Sequence, residues 1–239
     1  MADAASENRS DSLSVPWSDA VRFIRQLSHD LRNHLNAIEL QSTYIGELTE
    51  NSELKGEIKR LRDMISRLTA TLQKLSRGLA DVNANLISYR AADFVEDLRK
   101  RIAREFPEKS NQIVWDVQPG DAVLHVDPEL LQQAFIELFE NAFQHERGEG
   151  ALVLTAKVDK GRFLFALHEP KARFKGSTEN WGRQPLQNVS PGHYALGLNR
   201  VGVIVEANGA EIHAQYDRKS AALVTTLALP VSGGSRGSA

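Results

Sequence analysis

Apolar residues recur every seven positions at Ile24, Leu31, Ile38 and Ile45, and Leu27, Leu35 and Leu48 widen the stripe. That period predicts a long amphipathic helix built for a bundle seam, with Ser18 as its N-cap. Thr49 to Ser52 are polar and include a turn-forming Asn51. A second run then opens at Leu54 and continues through Ile58, Leu61, Ile65, Leu68, Leu72, Leu75, Leu79, Val82 and Leu86. Its steps alternate four and three, which predicts a second heptad helix reaching Leu86. Helices joined by so short a turn fold back antiparallel. A lone hairpin leaves half its seam wet, so the pattern predicts a homodimer that completes a four-helix bundle.

Around Ser88-Tyr89-Arg90 the heptad gives way to another texture. Residues 92–106 read as one amphipathic helix closed by Pro107. Ile113–Val117 and Ala122–Val126 read as short strands around a Pro-Gly-Asp turn. Asp127-Pro128 is a cap followed by proline at the first helical position, which launches a helix to about Glu146. Ala151–Val158 and Arg162–Leu167 flank Asp159-Lys160-Gly161 as a hairpin. Residues 169–191 carry no period and form a long loop. Leu196–Ala207 is a helix stopped by Asn208-Gly209, and Glu211–Tyr216 and Ala221–Leu229 are closing strands. The expected architecture is an α-helical hairpin forming a dimeric four-helix bundle, followed by an α/β sandwich with helices on one face of a mixed or antiparallel sheet. The expected divisions are a disordered lead-in at 1–16, the hairpin at 17–90, the α/β domain at 91–230 and a flexible tail at 231–239.

Composition narrows the function classes. Charged residues are 25% and hydrophobic residues 41% of 239, and the formal net charge is −2. This balance shows no basic excess that would point to nucleic acid. No apolar run approaches the roughly 20 residues of a membrane span, so no membrane span is expected. There is no cysteine, which excludes a disulfide scaffold and thiol chemistry and fits a cytoplasmic location. The histidines show no metal-ligand spacing. Arg99-Lys100-Arg101 reads as a solvated helix face, and Trp115 and Trp181 as packing residues.

With Ile24 and Leu31 on the seam, His29 lies on the outward face of the first helix, and Asn33 follows one turn later on the same side. Asp30 can orient the imidazole or take its proton, and a neutral ring nitrogen can then accept a phosphoryl group. Asn33 can position a water for the reverse, hydrolytic step.

Leu27-Ser28-His29-Asp30-Leu31-Arg32-Asn33 and the residues to Ile38 resemble the phosphoacceptor box of two-component sensor histidine kinases, with His34 where that family usually has proline. The heptad hairpin is similar to the family's dimerisation and phosphotransfer domain. Residues 127–133, with Glu137-Leu138-Phe139-Glu140-Asn141-Ala142, resemble the asparagine-box helix of the Bergerat-type ATP-binding domain. Arg183–Leu186 resembles, faintly, the phenylalanine box around Pro185. His193–Leu198 resembles the second glycine box. The resemblance covers roughly residues 20–230. It implies that ATP and Mg²⁺ are cofactors, that Asn141 is the Mg²⁺ ligand, and that the triphosphate sits at Leu196, Gly197 and Leu198. Glu137 stands where the family's kinases often have asparagine and its ATPase relatives a glutamate base. Glu169 stands where an aspartate recognises the adenine amino group.

The departures define a competing expectation. Glu169-Pro170-Lys171-Ala172-Arg173 replaces the family's Asp-x-Gly-x-Gly, so both glycines are lost, and His193 and Ala195 occupy glycine positions of the second box. The expected function is a cytoplasmic histidine kinase that phosphorylates His29 from ATP and passes the group to a response regulator receiver aspartate. Input then comes from a separate sensor or upstream phosphodonor protein. The alternative is a histidine phosphotransferase or response-regulator phosphatase whose degenerate second domain binds no ATP. A third possibility is an interaction scaffold in which His29 is idle.

Overall fold

A computed structural model describes residues 15–144, 148–174, 177–183 and 196–232. The expectations placed on 1–14, Pro185, His193, Ala195 and 233–239 lie outside the described residues. The chain divides into two compact units, one ending at Leu79 and the other beginning at Ala80.

The first unit is a helical hairpin of α1, Trp17–Leu48, and α2, Ser52–Gly78. Asn51 caps α2 by accepting hydrogen bonds from the backbone N–H groups of Glu53 and Leu54. The buried line between the helices differs from the expected one. Ser28, Leu35 and Ser42 of α1 are buried, as are Ile65 and Leu72 of α2. Leu31, Ile38 and Ile45 remain 41–45% exposed, as do Leu54 and Leu61 at 44% and 42%. The stripe is wider than one partner helix can cover, so the hairpin buries one edge of it and leaves the other on the surface. The far end of the hairpin is tied by Arg25, whose Nε donates to the Leu79 carbonyl at 2.9 Å, and by Arg32, which donates to Ser76 Oγ at 3.1 Å.

Helix α2 stops at Gly78 and does not run to Leu86. Its heptad positions beyond Leu79 are spent elsewhere, since Val82 packs into the core of the second unit. The Asn85 N–H donates to Asp127 at 2.9 Å. The sequence also gave no warning of a strand, β1, at Ile87–Arg90.

The second unit continues with α3 (Ala91–Glu105), β2 (Ile113–Gln118), β3 (Val123–Val126), α4 (Pro128–Gln144), β4 (Leu152–Asp159) and β5 (Arg162–Pro170). It ends with α5 (Gly197–Ala207), β6 (Glu211–Asp217) and β7 (Ala222–Pro230). Five strands form one mixed sheet in the order β2-β4-β5-β7-β6, and β1 pairs with β3 in a separate two-stranded sheet. The strands β2 and β3 flank one turn yet do not pair. Instead β2 lies parallel to β4, with Trp115 opposite Leu154, and the crossover from β2 to β4 runs through β3 and α4. The two hairpins fall where their turns predicted. Lys160 and Gly161 both take positive φ, as a tight two-residue turn requires.

Along β5 the residues Phe163, Phe165 and Leu167 alternate into the core, where they meet Phe94 of α3 and Phe135 and Phe139 of α4. Phe165 is the centre of this cluster, with ring centroids 4.9 Å from Phe135, 4.9 Å from Phe163 and 5.6 Å from Phe94. At the opposite end, the fully buried Asn208 accepts from the Asp127 N–H at 2.7 Å and donates to the Ile204 carbonyl at 2.8 Å. That side chain pins the end of α5 to the start of α4, so the two helices run antiparallel.

Candidate functional site

The candidate residues lie in both units, and in the second unit Glu137, Asn141 and Gly197 meet while Glu169 lies on β5. In the hairpin, burial of Ser28 and Leu35 turns His29 outward, where its side chain is 63% exposed. His29 Nδ1 lies 3.2 Å from Asp30 Oδ1 and 3.4 Å from Asn33 Nδ2. Gln26 Nε2 donates to the same Asp30 oxygen at 2.9 Å. The hydrogen bond with His29, then the one from Gln26, holds the Asp30 carboxyl below its usual range, so it is ionised near neutrality. In the tautomer whose Nδ1–H donates to the ionised Asp30, the ring's lone pair is on Nε2. Asn33 and Asp30 compete for Nδ1, and neither occupies Nε2 in these contacts. The arrangement can therefore present an oriented imidazole nitrogen to an electrophile.

In the second unit, Glu137 and Asn141 lie one turn apart on α4 and face the start of α5. Gly197 makes this approach possible. A Cβ there would fall 2.7 Å from Glu137 Oε2 and 3.7 Å from Asn141 Nδ2. Asn141 Nδ2 is buried without a hydrogen-bond partner. Leu196 is buried, and Leu198 packs against the core, which fixes the first turn of α5. The structure thus brings Glu137, Asn141 and Gly197 together. Among the described residues no group of three or more His, Asp or Glu could hold a metal. A divalent ion here would rest on few protein oxygens, which suits the way Mg²⁺ is held beside phosphates.

Glu169 follows Phe163, Phe165 and Leu167 with the same alternation, so its carboxylate enters the covered face of the sheet and is buried. It is not empty-handed there. Lys171 Nζ lies 2.8 Å from Glu169 Oε1, and the two side chains are 9% and 10% exposed. Reading the sequence placed Lys171 only as a lost glycine. The signal that could have found the pair is the i, i+2 spacing, which puts both residues on one face of an extended chain.

A helical hairpin with an outward histidine, followed by an α/β sandwich whose helices carry Glu137, Asn141 and Gly197, has the fold of solved histidine kinase structures. No family model matches the chain. Among curated proteins it is 24% identical over 222 residues to the sensor histidine kinase ZraS of Klebsiella oxytoca, a match covering 87% of this chain and 45% of that protein. It is 24% identical over 211 residues to the adaptive-response sensory kinase SasA of Prochlorococcus marinus, covering 80% and 53%. The chain thus spans about half the length of the curated relatives it matches. Among solved structures, full-length ShkA in complex with AMPPNP superposes with a TM-score of 0.66 at 18% identity, over 88% of this chain and 46% of that one. The nucleotide-free catalytic domain of ThkA gives 0.50 at 13% identity, over 61% and 97%. No helix among the described residues is long and apolar enough to cross a membrane.

Proposed function

We propose that this chain is a histidine protein kinase acting in the cytoplasm within a two-component or phosphorelay system. The observation that carries the reading is the oriented, exposed imidazole of His29 with Asp30 on its Nδ1. ATP would supply the transferred phosphoryl group when bound. On the chain's side, Asn141 would hold the Mg²⁺ with Glu137 one turn away, the first turn of α5 from Leu196 to Leu198 would meet the phosphates, and Glu169 would accept from the adenine amino group. His29 Nε2 is the acceptor, and Asp30 stabilises the positive charge that builds on the ring as the N–P bond forms. A receiver-domain aspartate of a response regulator then takes the group. Asn33, beside the ring, would orient a water for hydrolytic removal of the phosphoryl group as inorganic phosphate.

The apolar edge left on the hairpin supports a homodimer that buries Leu31, Ile38, Leu61 and Leu68 in a four-helix bundle. Sedimentation should show a dimer for the unaltered chain and a monomer for Leu31→Glu/Leu68→Glu, and a wild-type monomer at micromolar concentration would rule the bundle out.

The kinase reading is tested by incubating the chain with γ-labelled ATP and Mg²⁺. Label that is lost in acid and kept in alkali is expected. No label, with a folded dimer present, would defeat the reading. One observation favours a second reading, a histidine phosphotransferase or response-regulator phosphatase: the carboxylate of Glu169 is already paired with Lys171. Its signature is loading of His29 from a phosphorylated receiver domain without ATP.

A further inference from the structure

Lys171 is built into the fold and is no flexible surface chain. Its N–H donates to the Ala221 carbonyl at 2.8 Å, and its own carbonyl accepts from the Tyr216 hydroxyl at 2.9 Å. Tyr216 in turn stacks on Phe174, at 5.8 Å between ring centroids and 29° between planes. This fixed backbone aims the lysine stem back along the covered face of β5, where Nζ meets Glu169. A buried ion pair contributes little to stability compared with an apolar pair of the same volume, because two charges must be desolvated. Burial of the pair at this point therefore gives the fold little that two leucines would not give.

Its position suggests another role. If Glu169 is the acid that receives the base's amino group, as the kinase reading holds, then Lys171 presents an ammonium to that same acid from within the chain, at ion-pair distance. The start of α5 carries a feature of opposite sign. The Glu137 carboxylate lies against Gly197 in the first turn of α5, the end of a helix that attracts an anion. An internal cation thus sits on the base-reading acid, and an internal anion sits where phosphate would approach.

We propose that Lys171 is an intramolecular competitor for the nucleotide base, so that an adenine nucleotide gains Glu169 only by displacing the lysine. Lys171 then sets the affinity of the site for nucleotide, and anything that draws it away from Glu169 opens the site. Only the competing donor needs to leave, and the β-sheet is untouched. This inference rests on the assignment of Glu169 as the base-reading acid, and it adds the regulation of that site.

The test is calorimetric titration of the full chain with Mg-ATP, in a His29→Gln background so that no phosphoryl transfer intervenes. Lys171→Ala should bind Mg-ATP at least tenfold more tightly than the same chain with Lys171, while Lys171→Arg, which keeps a cationic donor, should not gain. Lys171→Met keeps the packing of the stem without its charge and should gain as well, which covers the case of an alanine variant that does not fold. Equal or weaker binding in the folded Ala and Met variants would overturn the proposal. The two readings fail separately. A gain in binding with no labelling of His29 in an otherwise native Lys171→Ala chain upholds the competitor and sinks the kinase. Label on wild-type His29 with no change in affinity on Lys171→Ala does the reverse.

Discussion

A His29→Gln chain should take up no acid-labile label from ATP or from a phosphorylated receiver domain, while its circular dichroism and melting temperature stay those of the unaltered protein. Loss should be complete because glutamine offers no ring nitrogen to attack phosphorus. Stability should hold because the ring is largely exposed and packs on nothing that folding buries. Asp30→Asn separates orientation from nucleophilicity. The amide can still meet Nδ1 but cannot stabilise the cationic ring, so loading should slow by about a hundredfold without vanishing. Asn33→Ala should leave loading intact and lengthen the life of the phosphohistidine when a receiver domain is present. Full labelling of His29→Gln would move the acceptor elsewhere and remove the reason for assigning any of the three residues.

Phe165→Ala should destabilise the second unit by about 3–5 kcal/mol, the usual cost of removing a large aromatic from a packed core. Three other phenylalanine rings meet this one, from α3, α4 and β5 itself, so its loss leaves a cavity bounded by separate elements that cannot all collapse inward. A loss of that size is a large fraction of the stability of an ordinary domain. Urea unfolding followed by tryptophan fluorescence should show the midpoint fall, with Trp115 reporting because it stacks on Phe139 of the same core. A loss below about 1 kcal/mol would mean that the cluster repacks and that the core is looser than its burial implies.

What could be read from the sequence was what is local. The heptads of α1 and α2, the hairpin turn at Lys160-Gly161 and the Asn208-Gly209 stop each depend on residues a few positions apart. The elements they announced are present. The candidate residues His29, Asp30 and Asn33 were legible for the same reason, since one helical turn brings them together. Non-local pairing was not legible. Nothing in Val123–Val126 says that it will leave its neighbour β2 for β1, or that β2 will lie parallel to β4. Which apolar column of α1 faces α2 within the hairpin was not legible, because several columns compete for one partner helix and periodicity does not rank them. Asn208 looked like a helix terminator, and its larger part, a fully buried bridge to Asp127, depends on residues some eighty positions away. Lys171 looked like a missing glycine, when the informative fact was the carboxylate two residues earlier.

The Asn208 bridge makes α5 behave as a lever with its fulcrum at the end remote from the candidate site. Between that fulcrum and Gly197 lies the whole of the eleven-residue α5, about 16 Å of helix at 1.5 Å per residue. Slipping the helix by a single residue at the fulcrum would turn Gly197 by about 100° and set a side chain against Glu137. The tolerance of the site is therefore decided where no ligand ever reaches, and changes at Asn208 or Asp127 would reach Gly197 as errors of alignment.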